Sequence, residues 1–315
     1  MIGIIVNPKS GRNKKGDCGP EELGRVLAGD AIIRQTATLE ETRQALREFR
    51  DKGIDLLCVS GGDGTMHLTL TEAILFAREE NWELPLFYPL RGGVMNSVTN
   101  ELSGLKGNPV SQCKKLLPVY RRIKEGETPG INLQPILRIE DPESPRGEIY
   151  AFIFTGGMLY RGFEAYYTGA PPTPMKAFTM ACRIIHGVAV KNHWAAFSPE
   201  KVSADGRPLS YDGILFTVAA TIRKLTLWFS PFAPAPLSGN FYAYICALSP
   251  GETIRHIYAY SLGKRTHERL FNQTARELVI EGVKGYVVDG EIYRRENGYS
   301  IRISSGPTLR VLKLE

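Results

Sequence analysis

The chain has 315 residues, of which 43% are hydrophobic and 23% are charged, and its formal net charge is +6. This length exceeds the size at which a single hydrophobic core usually stops growing, so two domains are predicted. The composition excludes disordered and fibrous classes. The positive charge favours an anionic partner, which could be nucleotide phosphates, an anionic membrane surface or nucleic acid.

The sequence lacks the signals of export and of membrane insertion. Its first apolar run, 2–6, is too short for a signal peptide, and no apolar run approaches the roughly 18 residues that span a bilayer. The five cysteines are scattered and form no C-x-x-C pair, which argues against disulfides and zinc. We therefore expect a cytoplasmic protein with reduced thiols, with Cys58 in a buried strand.

Residues 1–128 alternate short β-branched apolar runs with longer amphipathic stretches. The predicted strands are 2–6, 31–34, 56–59 and 85–89, and the predicted helices are 20–27, 39–52, 65–78 and 111–117. This alternation predicts an α/β domain of the doubly wound, Rossmann-like type. Such a sheet binds ligands at the carboxyl ends of its strands, so chemistry is expected in the loops after the first, third and fourth strands.

Residues 129–298 have a different pattern, with short alternating runs separated by Gly, Pro and Asp. The predicted strands are 134–139, 148–154, 214–219, 241–247, 278–281 and 286–288, interrupted by a helix at 175–187 and Pro-rich loops at 170–174 and 230–236. This pattern predicts a C-terminal antiparallel β-sandwich domain. A last strand, 308–314, is expected to return to the first domain, which would then comprise 1–128 and 299–315.

The loop after the third strand reads Gly61-Gly62-Asp63-Gly64-Thr65 and leads into a helix. Glycines let the backbone N–H groups approach a ligand, and a helix N-terminus favours negative charge, so the loop is predicted to bind an anion. A carboxylate in such a loop would repel phosphates unless it binds a metal, orients the acceptor or takes a proton. The P-loop and dinucleotide fingerprints are both absent.

Four blocks follow one another along the chain: N-P-x-S-G at 7–11, G-G-D-G-T at 61–65, G-G-x-M-N at 92–96 and D-G-E at 289–291. In this order they resemble the diacylglycerol kinase catalytic domain family, which includes bacterial lipid kinases and sphingosine kinases. The resemblance covers essentially the whole chain. G-G-D-G-T alone is shared with NAD kinases and identifies only the superfamily.

The resemblance implies the site residues. Contacts to the nucleotide are expected from residues of the strand-end loops: Asn7, Ser10, Gly11, Thr36, Gly61, Gly62, Gly64, Thr65, Gly93 and Asn96. Thr38 competes with Thr36 for its role. Catalysis is expected from Asp63, Asp289 and Glu291, and metal contact from Asp63 and Asp289, without deciding which of them is the base. By itself, D-G-x is also the commonest signal for a hairpin turn.

The same resemblance implies an ATP-dependent lipid kinase that needs Mg²⁺ and acts in phospholipid metabolism. It would transfer the γ-phosphate to the hydroxyl of diacylglycerol or a sphingoid-like lipid at a membrane surface, in a cleft between the domains. Peripheral membrane association is then expected, and a nucleic acid partner is not expected. Whether the chain forms a homodimer is left open. The alternatives are a non-catalytic nucleotide-binding or lipid-binding homologue and a kinase of a soluble alcohol such as NAD. Two positions depart from the family: Val94 replaces a usual threonine, and Ser238 replaces a metal-binding aspartate of many bacterial members.

Overall fold

The computed structural model of the chain describes residues 1–11, 13, 19–93, 96–167, 196–225, 230–233, 237, 239–255, 259 and 267–314. They form two compact units, Met1–Gln134 with Thr308–Glu315, and Pro135–Pro307. Several predictions lie outside the described residues: the helix at 175–187, the loop at 170–174, part of the loop at 230–236, and the departures at Val94 and Ser238. The assignment of separate roles to two domains stays a prediction.

A parallel sheet forms the centre of the first unit. Its strands are β1 (Ile2–Val6), β2 (Ala31–Gln35), β3 (Leu56–Gly61), β4 (Leu86–Arg91) and the end of β14 (Glu291–Leu312). The spatial order is β2-β1-β3-β4-β14, and Val311 of β14 pairs with Phe87 of β4 in parallel. The carboxyl ends of β1, β3 and β4 therefore lie along one edge of the sheet.

Five helices accompany this sheet: α1 (Pro20–Leu27), α2 (Leu39–Asp51), α3 (Asp63–Glu79), α4 (Ser97–Ser103) and α5 (Pro109–Lys124). Local sequence determines the residues at which several of these helices begin. Thr38 and Glu41 form a reciprocal capping box at the start of α2, and Asn108 caps α5 immediately before a proline at its first position. Within the described residues, no helix combines the length and apolar character that crossing a bilayer demands.

The helices cover both faces of the parallel sheet. Leu23 of α1 and Leu116 of α5 join a core with the even-numbered residues of β1, such as Ile4. Gly3, on the opposite face, lies so close to α2 that a methyl group there would come within 2.8 Å of Phe49. The predicted doubly wound α/β class is confirmed.

The predicted element bounds differ from the observed ones mainly in the helices. The third helix begins at Asp63 rather than at residue 65, so the acidic residue of the Gly-rich loop belongs to its first turn. The fifth extends over 109–124 rather than the predicted 111–117, and continues past the internal Pro118. The short helix α4 was missed, because it follows the loop after β4 with few apolar residues to reveal its period.

The second unit is built from short antiparallel strands. They are β5 (Ile131–Glu140), β6 (Glu148–Ala151), β7 (Ile153–Gly157), β8 (Lys201–Ala204), β9 (Arg207–Pro208), β10 (Phe216–Ala220), β11 (Phe241–Cys246), β12 (Leu270–Ala275), β13 (Glu277–Val288) and most of β14, with helices α6 (Met158–Tyr167) and α7 (Pro250–Arg255). Strands β7, β10, β11 and β12 pair in antiparallel register, and β13 pairs with β7, β8 and β14. The predicted strand 148–154 is two strands, broken at Phe152.

Both faces of the β10–β11 pair are buried in this unit. Val218 and Tyr244 point into one apolar core, and Ala219 and Ile245 into another that also contains Tyr286 of β13. A strand buried on both faces reads as a continuous apolar run, which explains the unbroken burial of β10 and β11. The predicted antiparallel character of the second domain is confirmed.

Candidate active site

Three loops of the first unit meet at the carboxyl edge of its parallel sheet. They follow β1 at residues 7–11, β3 at residues 61–65 and β4 at residues 92, 93 and 96. These are the places where the sequence blocks predicted ligand contacts. The edge of a doubly wound sheet at which parallel strands end is the usual ligand position of this fold.

Thr65 joins the first loop to the second. The Asn7 amide nitrogen donates to the Thr65 hydroxyl at 2.8 Å, and the Ser10 hydroxyl lies 3.3 Å from the same oxygen. The Gly62 backbone N–H points at the Ser10 hydroxyl at 3.4 Å. The predicted residues Asn7, Ser10, Gly62 and Thr65 therefore form one hydrogen-bonded group, although more than fifty positions separate the two loops in sequence.

Close packing explains the glycines of the second and third loops. Gly62 has φ −86°, so its conformation is open to other residues. What excludes a side chain is space: a Cβ on Gly93 would lie 2.4 Å from Gly62 Cα, and a Cβ on Gly61 would lie 2.5 Å from Thr65 Cβ. The structure therefore excludes a side chain at Gly93 because two backbones touch, and at Gly61 because the Thr65 side chain packs against it, whereas a Cβ on Gly62 would lie at an ordinary 3.6 Å from Gly93 Cα.

Asp63 ties the second loop to the third. Its carboxylate accepts the backbone N–H of Ser97 at 2.9 Å and that of Val98 at 3.2 Å, which are the first residues of α4. Asn96, the residue before α4, bonds instead to Gly93 through both of its amide atoms, at 2.9 and 2.8 Å. An aspartate from a different loop thus satisfies the N–H groups that begin this helix.

The environment of Asp63 changes its acidity. Removal of water from around the carboxyl raises its pKa to about 6, and the N–H groups of Ser97 and Val98 oppose that rise. The group therefore exchanges a proton near neutral pH. A carboxylate poised in this way can accept a proton or bind a cation, which are the roles predicted for Asp63.

The N-terminus of α3 contributes positive electrostatic potential at the same edge of the sheet. This helix has 17 residues, and Gly62 at its N-cap provides no side-chain cap. Its first N–H groups carry the partial positive charge of the helix dipole, which favours phosphate. His67 adds no charge, because complete burial lowers its pKa to about 3 and keeps the imidazole neutral.

Residues 1–124 match the diacylglycerol kinase catalytic domain family. The match covers most of the first unit and contains the three strand-end loops described above. No curated protein matches the chain.

Solved structures resemble the chain over nearly its whole length. Two crystal structures from Bacillus anthracis str. Sterne, the first of a protein provisionally assigned as a diacylglycerol kinase and the second of a protein described as one, match with TM-scores of 0.62 and 0.63 at 17% and 16% identity. They cover 98% and 99% of this chain and 96% of their own. A third protein from the same organism, provisionally assigned as a diacylglycerol kinase, has a TM-score of 0.64 at 18% identity, with 98% of this chain and 96% of its own covered. At these identities the likeness shows a common fold.

The fourth sequence block lies in the second unit and forms a hairpin turn. Asp289 and Gly290 both have positive φ, 45° and 88°, and connect β13 to β14 where Val288 pairs with Glu291. Two consecutive residues in this conformation make the turn that suits the twist of a hairpin. The block thus adopts the hairpin turn that D-G-x by itself signals.

The Asp289 carboxylate is turned into the protein. The residue is 4% exposed, and its oxygens accept the N–H of Phe152, at 3.1 and 3.3 Å, and of Ile153 at 2.8 Å. Glu291 is exposed, and partial desolvation of its carboxyl raises its pKa. Asp289 thus fastens the hairpin to the break between β6 and β7, and the catalytic roles of both residues stay predictions.

A buried ion pair anchors the same hairpin. Asp141 is fully buried and accepts hydrogen bonds from the Tyr286 hydroxyl and the Arg295 guanidinium. The guanidinium also lies over the rings of Tyr286 and Tyr293, 5.5 and 5.6 Å from their centroids. A charge placed in a core needs such partners, and here they connect both strands of the hairpin to β5.

The remaining predicted residues are less connected. Thr36 is 5% exposed at the end of β2, and its N–H donates to the carbonyl of Val6. Thr38, its competitor, is occupied as the cap of α2. Gly11 and Gly64 lie in the first and second loops, and the nucleotide contacts of all the predicted residues stay predictions.

The described residues contain no cluster of three or more His, Cys, Asp or Glu side chains that could hold a metal ion. Mg²⁺ in phosphoryl-transfer sites is held by one or two carboxylates, substrate phosphates and water, so such a cluster is not required. The Asp63 carboxylate accepts two backbone N–H groups and a hydrogen bond from the Ser97 side chain, which is fewer than the roughly four lone-pair sites of a carboxylate. The residues of the first unit thus fit a magnesium ion that arrives with a nucleotide.

Sequence reasoning missed two residues at this edge, Asn13 and Ser60. Asn13 was not among the predicted residues, yet it is 7% exposed and its amide bonds to both the carbonyl oxygen and the hydroxyl of Ser60. Ser60 looked like an ordinary strand residue. No local pattern distinguishes either one, because their partners are about 47 positions away.

Proposed function

We propose that this chain is an ATP-dependent lipid kinase that transfers the γ-phosphate of ATP to a lipid hydroxyl. The observation that carries the proposal is the junction of three loops of a diacylglycerol kinase catalytic domain, joined through Thr65 and Asp63 at the N-terminus of α3. Phosphoryl transfer asks a protein mainly for positioning and for neutralisation of phosphate charge. A fixed set of backbone N–H groups beside a helix N-terminus supplies both.

The proposed roles follow from the chemistry of each group. The loops at 7–11 and 61–65 would contact the phosphates, and Gly93 and Asn96 would lie beside the nucleotide. Mg²⁺, held by the phosphates and Asp63, would supply charge neutralisation on the transferred group. Asp63, Asp289 and Glu291 are the proposed acceptors for the proton of the lipid hydroxyl.

The proposed acceptor is diacylglycerol or a sphingoid-like lipid. The family match supports it, as do the neighbours described as diacylglycerol kinases. The net charge of +6 is compatible with an anionic membrane surface on which such a lipid is presented. Peripheral membrane association is part of this proposal.

The direct test is a substrate screen. The purified chain, ATP labelled in the γ-phosphate and Mg²⁺ are incubated with mixed micelles containing diacylglycerol or a long-chain base, and the phosphorylated lipid is separated by chromatography. We expect label in one of these lipids and none without Mg²⁺. Release of ADP with a soluble alcohol such as NAD, but with no lipid tested, would overturn the lipid assignment, and ATP binding without transfer to any acceptor would indicate a non-catalytic homologue.

Asp63→Asn provides the site-specific arm of this screen. It should lower lipid phosphorylation by roughly 100-fold or more, since a general base or metal-binding carboxylate contributes about that much. Asp205→Asn is the matched control, because Asp205 also accepts two backbone N–H groups, from Arg276 and Glu277, in the other unit. Equal activity in the two variants would remove Asp63 from the proposed reaction.

A further inference from the structure

Asn13 lies in the first loop yet is almost completely buried. It is 7% exposed, and its side-chain nitrogen donates to the carbonyl oxygens of Asn7 at 2.9 Å and Ser60 at 3.0 Å. The Ser60 hydroxyl donates to the Asn13 oxygen at 3.3 Å. Two carbonyls that only accept and one hydroxyl that donates need a neutral group with two N–H bonds and an oxygen, which a primary amide provides.

This amide connects the ends of β1 and β3 beyond their last backbone hydrogen bonds. The Asn7 N–H already donates to the Ser60 carbonyl at 3.0 Å, so Asn13 adds a second connection between the same two residues. Ser60 immediately precedes the G-G-D-G-T loop. The Asn13 amide therefore fixes where the first loop lies relative to the start of the second.

The loop after β4 packs on the same amide. A Cβ on Gly92 would lie 3.0 Å from both the nitrogen and the oxygen of the Asn13 side chain, and 2.7 Å from the backbone nitrogen of Gly61. Gly92 is thus in direct contact with Asn13 and with the second loop. One buried side chain touches the ends of all three strands whose loops form the candidate site.

We propose that Asn13 is a positioning residue for the nucleotide phosphates, whose amide holds the loops after β1, β3 and β4 in a single register. This inference rests on the proposed kinase function, since it names a residue that keeps the phosphate-binding groups of that site in place. Phosphoryl transfer depends on alignment, and a displacement of about 1 Å in such a site can cost roughly 100-fold in rate.

Two substitutions separate the hydrogen-bonding role from space filling. Asn13→Ala removes all three hydrogen bonds, whereas Asn13→Asp keeps the shape but turns a carboxylate oxygen toward two carbonyls. We expect both to weaken the binding of Mg·ATP, measured by calorimetry, by roughly 10- to 100-fold. Ser60→Ala removes one hydrogen bond and should weaken it by roughly 2- to 10-fold, which keeps the test available if Asn13 variants do not fold.

Asn108→Ala is the matched control for stability. Asn108 caps α5 in the same unit by accepting the Ser111 N–H at 2.8 Å, and its described hydrogen bonds all lie within the first turn of that helix. It should lower the melting temperature and leave Mg·ATP affinity at the wild-type value. Amide hydrogen exchange provides the second readout, with faster exchange expected in all three loops of Asn13→Ala and in none of them for Asn108→Ala.

The outcomes distinguish this inference from the proposed function. Wild-type affinity in Asn13→Asp, or faster exchange confined to the loop after β1, would overturn the positioning role even if the wild type phosphorylates lipid. Loss of Mg·ATP binding in the Asn13 variants of a chain that phosphorylates no lipid would sustain the positioning role and overturn the lipid kinase. A wild type that binds no Mg·ATP would overturn both.

Discussion

Replacement of Gly93 by alanine tests whether the second and third loops must touch. Gly93 bonds through its N–H to Asn96 and lies against Gly62. An added Cβ would stand 2.4 Å from Gly62 Cα and 3.1 Å from both Gly62 N and Asn96 Oδ1. The nearest obstacle is backbone, which cannot rotate aside as a flexible side chain could.

The size of the effect follows from this overlap. Carbon atoms in contact prefer a separation of about 3.5–4.0 Å, so the two loops must part by about 1 Å. Overpacking of this kind typically costs about 1–3 kcal/mol of unfolding free energy. A shift of about 1 Å in a phosphate site should also reduce phosphoryl transfer by roughly 100-fold.

The assay combines urea unfolding with Mg·ATP binding. Gly24→Ala in α1 is the control, since it adds the same methyl group in the same unit with the nearest atom, Ile33 Cδ1, at 3.9 Å. Alanine is the better helix former there, so this variant should be more stable than the wild type by about 0.5–1 kcal/mol. The two methyl groups are thus expected to change stability in opposite directions.

Gly93→Ala with wild-type stability and wild-type Mg·ATP affinity would refute the argument. The contact between Gly62 and Gly93 would then be dispensable, and the glycines of these loops would need another reason. Loss of stability with unchanged affinity would show that the contact supports the fold but does not set the site.

Three further substitutions test the site and its surroundings. Thr65→Val removes the hydroxyl that accepts from Asn7, and should weaken Mg·ATP binding by roughly 2- to 10-fold in calorimetry. His67→Leu should make the protein less sensitive to acid: the pKa of His67 is lowered from 6.5 to about 3 by burial, so the unfolded chain binds a proton first and stability is lost as pH falls from about 6.5 toward 3. Asp289→Ala leaves two backbone N–H groups without their carboxylate, and should lower the unfolding free energy in urea by about 1.5–3 kcal/mol.

For each of these three substitutions, one result would contradict the prediction. Unchanged affinity in Thr65→Val would mean that the first and second loops keep their places without this hydrogen bond. An acid profile of His67→Leu parallel to that of the wild type as pH falls below 6.5 would show that the pKa of His67 is the same in the folded and the unfolded chain. Asp289→Ala with full stability but no kinase activity would assign that residue to the reaction rather than to the hairpin.

Local sequence determined the elements of the first unit and the places where its ligand loops lie. Strands β1 and β3 were recognised from their continuous apolar runs, with Cys58 in a buried strand as predicted. The order of strands and amphipathic helices was enough for the doubly wound class, because a parallel sheet requires a crossover between successive strands. The four sequence blocks led to the family that residues 1–124 match.

The contacts that make a site from these loops were decided by the tertiary structure. Asp63 was chosen from its loop as a catalytic carboxylate, but nothing near it in sequence reveals that Ser97 and Val98 donate to it. Asn13 was passed over, because its partner Ser60 lies on another strand. A hydrogen bond between loops depends on where the sheet places two strand ends, which local residue patterns do not encode.

The G-G-D-G-T loop shows both kinds of information in five residues. Its composition alone identified a backbone that approaches an anion at the start of a helix, because such loops need residues without side chains. Why Gly61 must be glycine was decided only by folding, which brings the Thr65 side chain to within 2.5 Å of where a Cβ would stand. The sequence shows which residues form the loop, and the packing of loops that are distant in sequence explains why those residues are needed there.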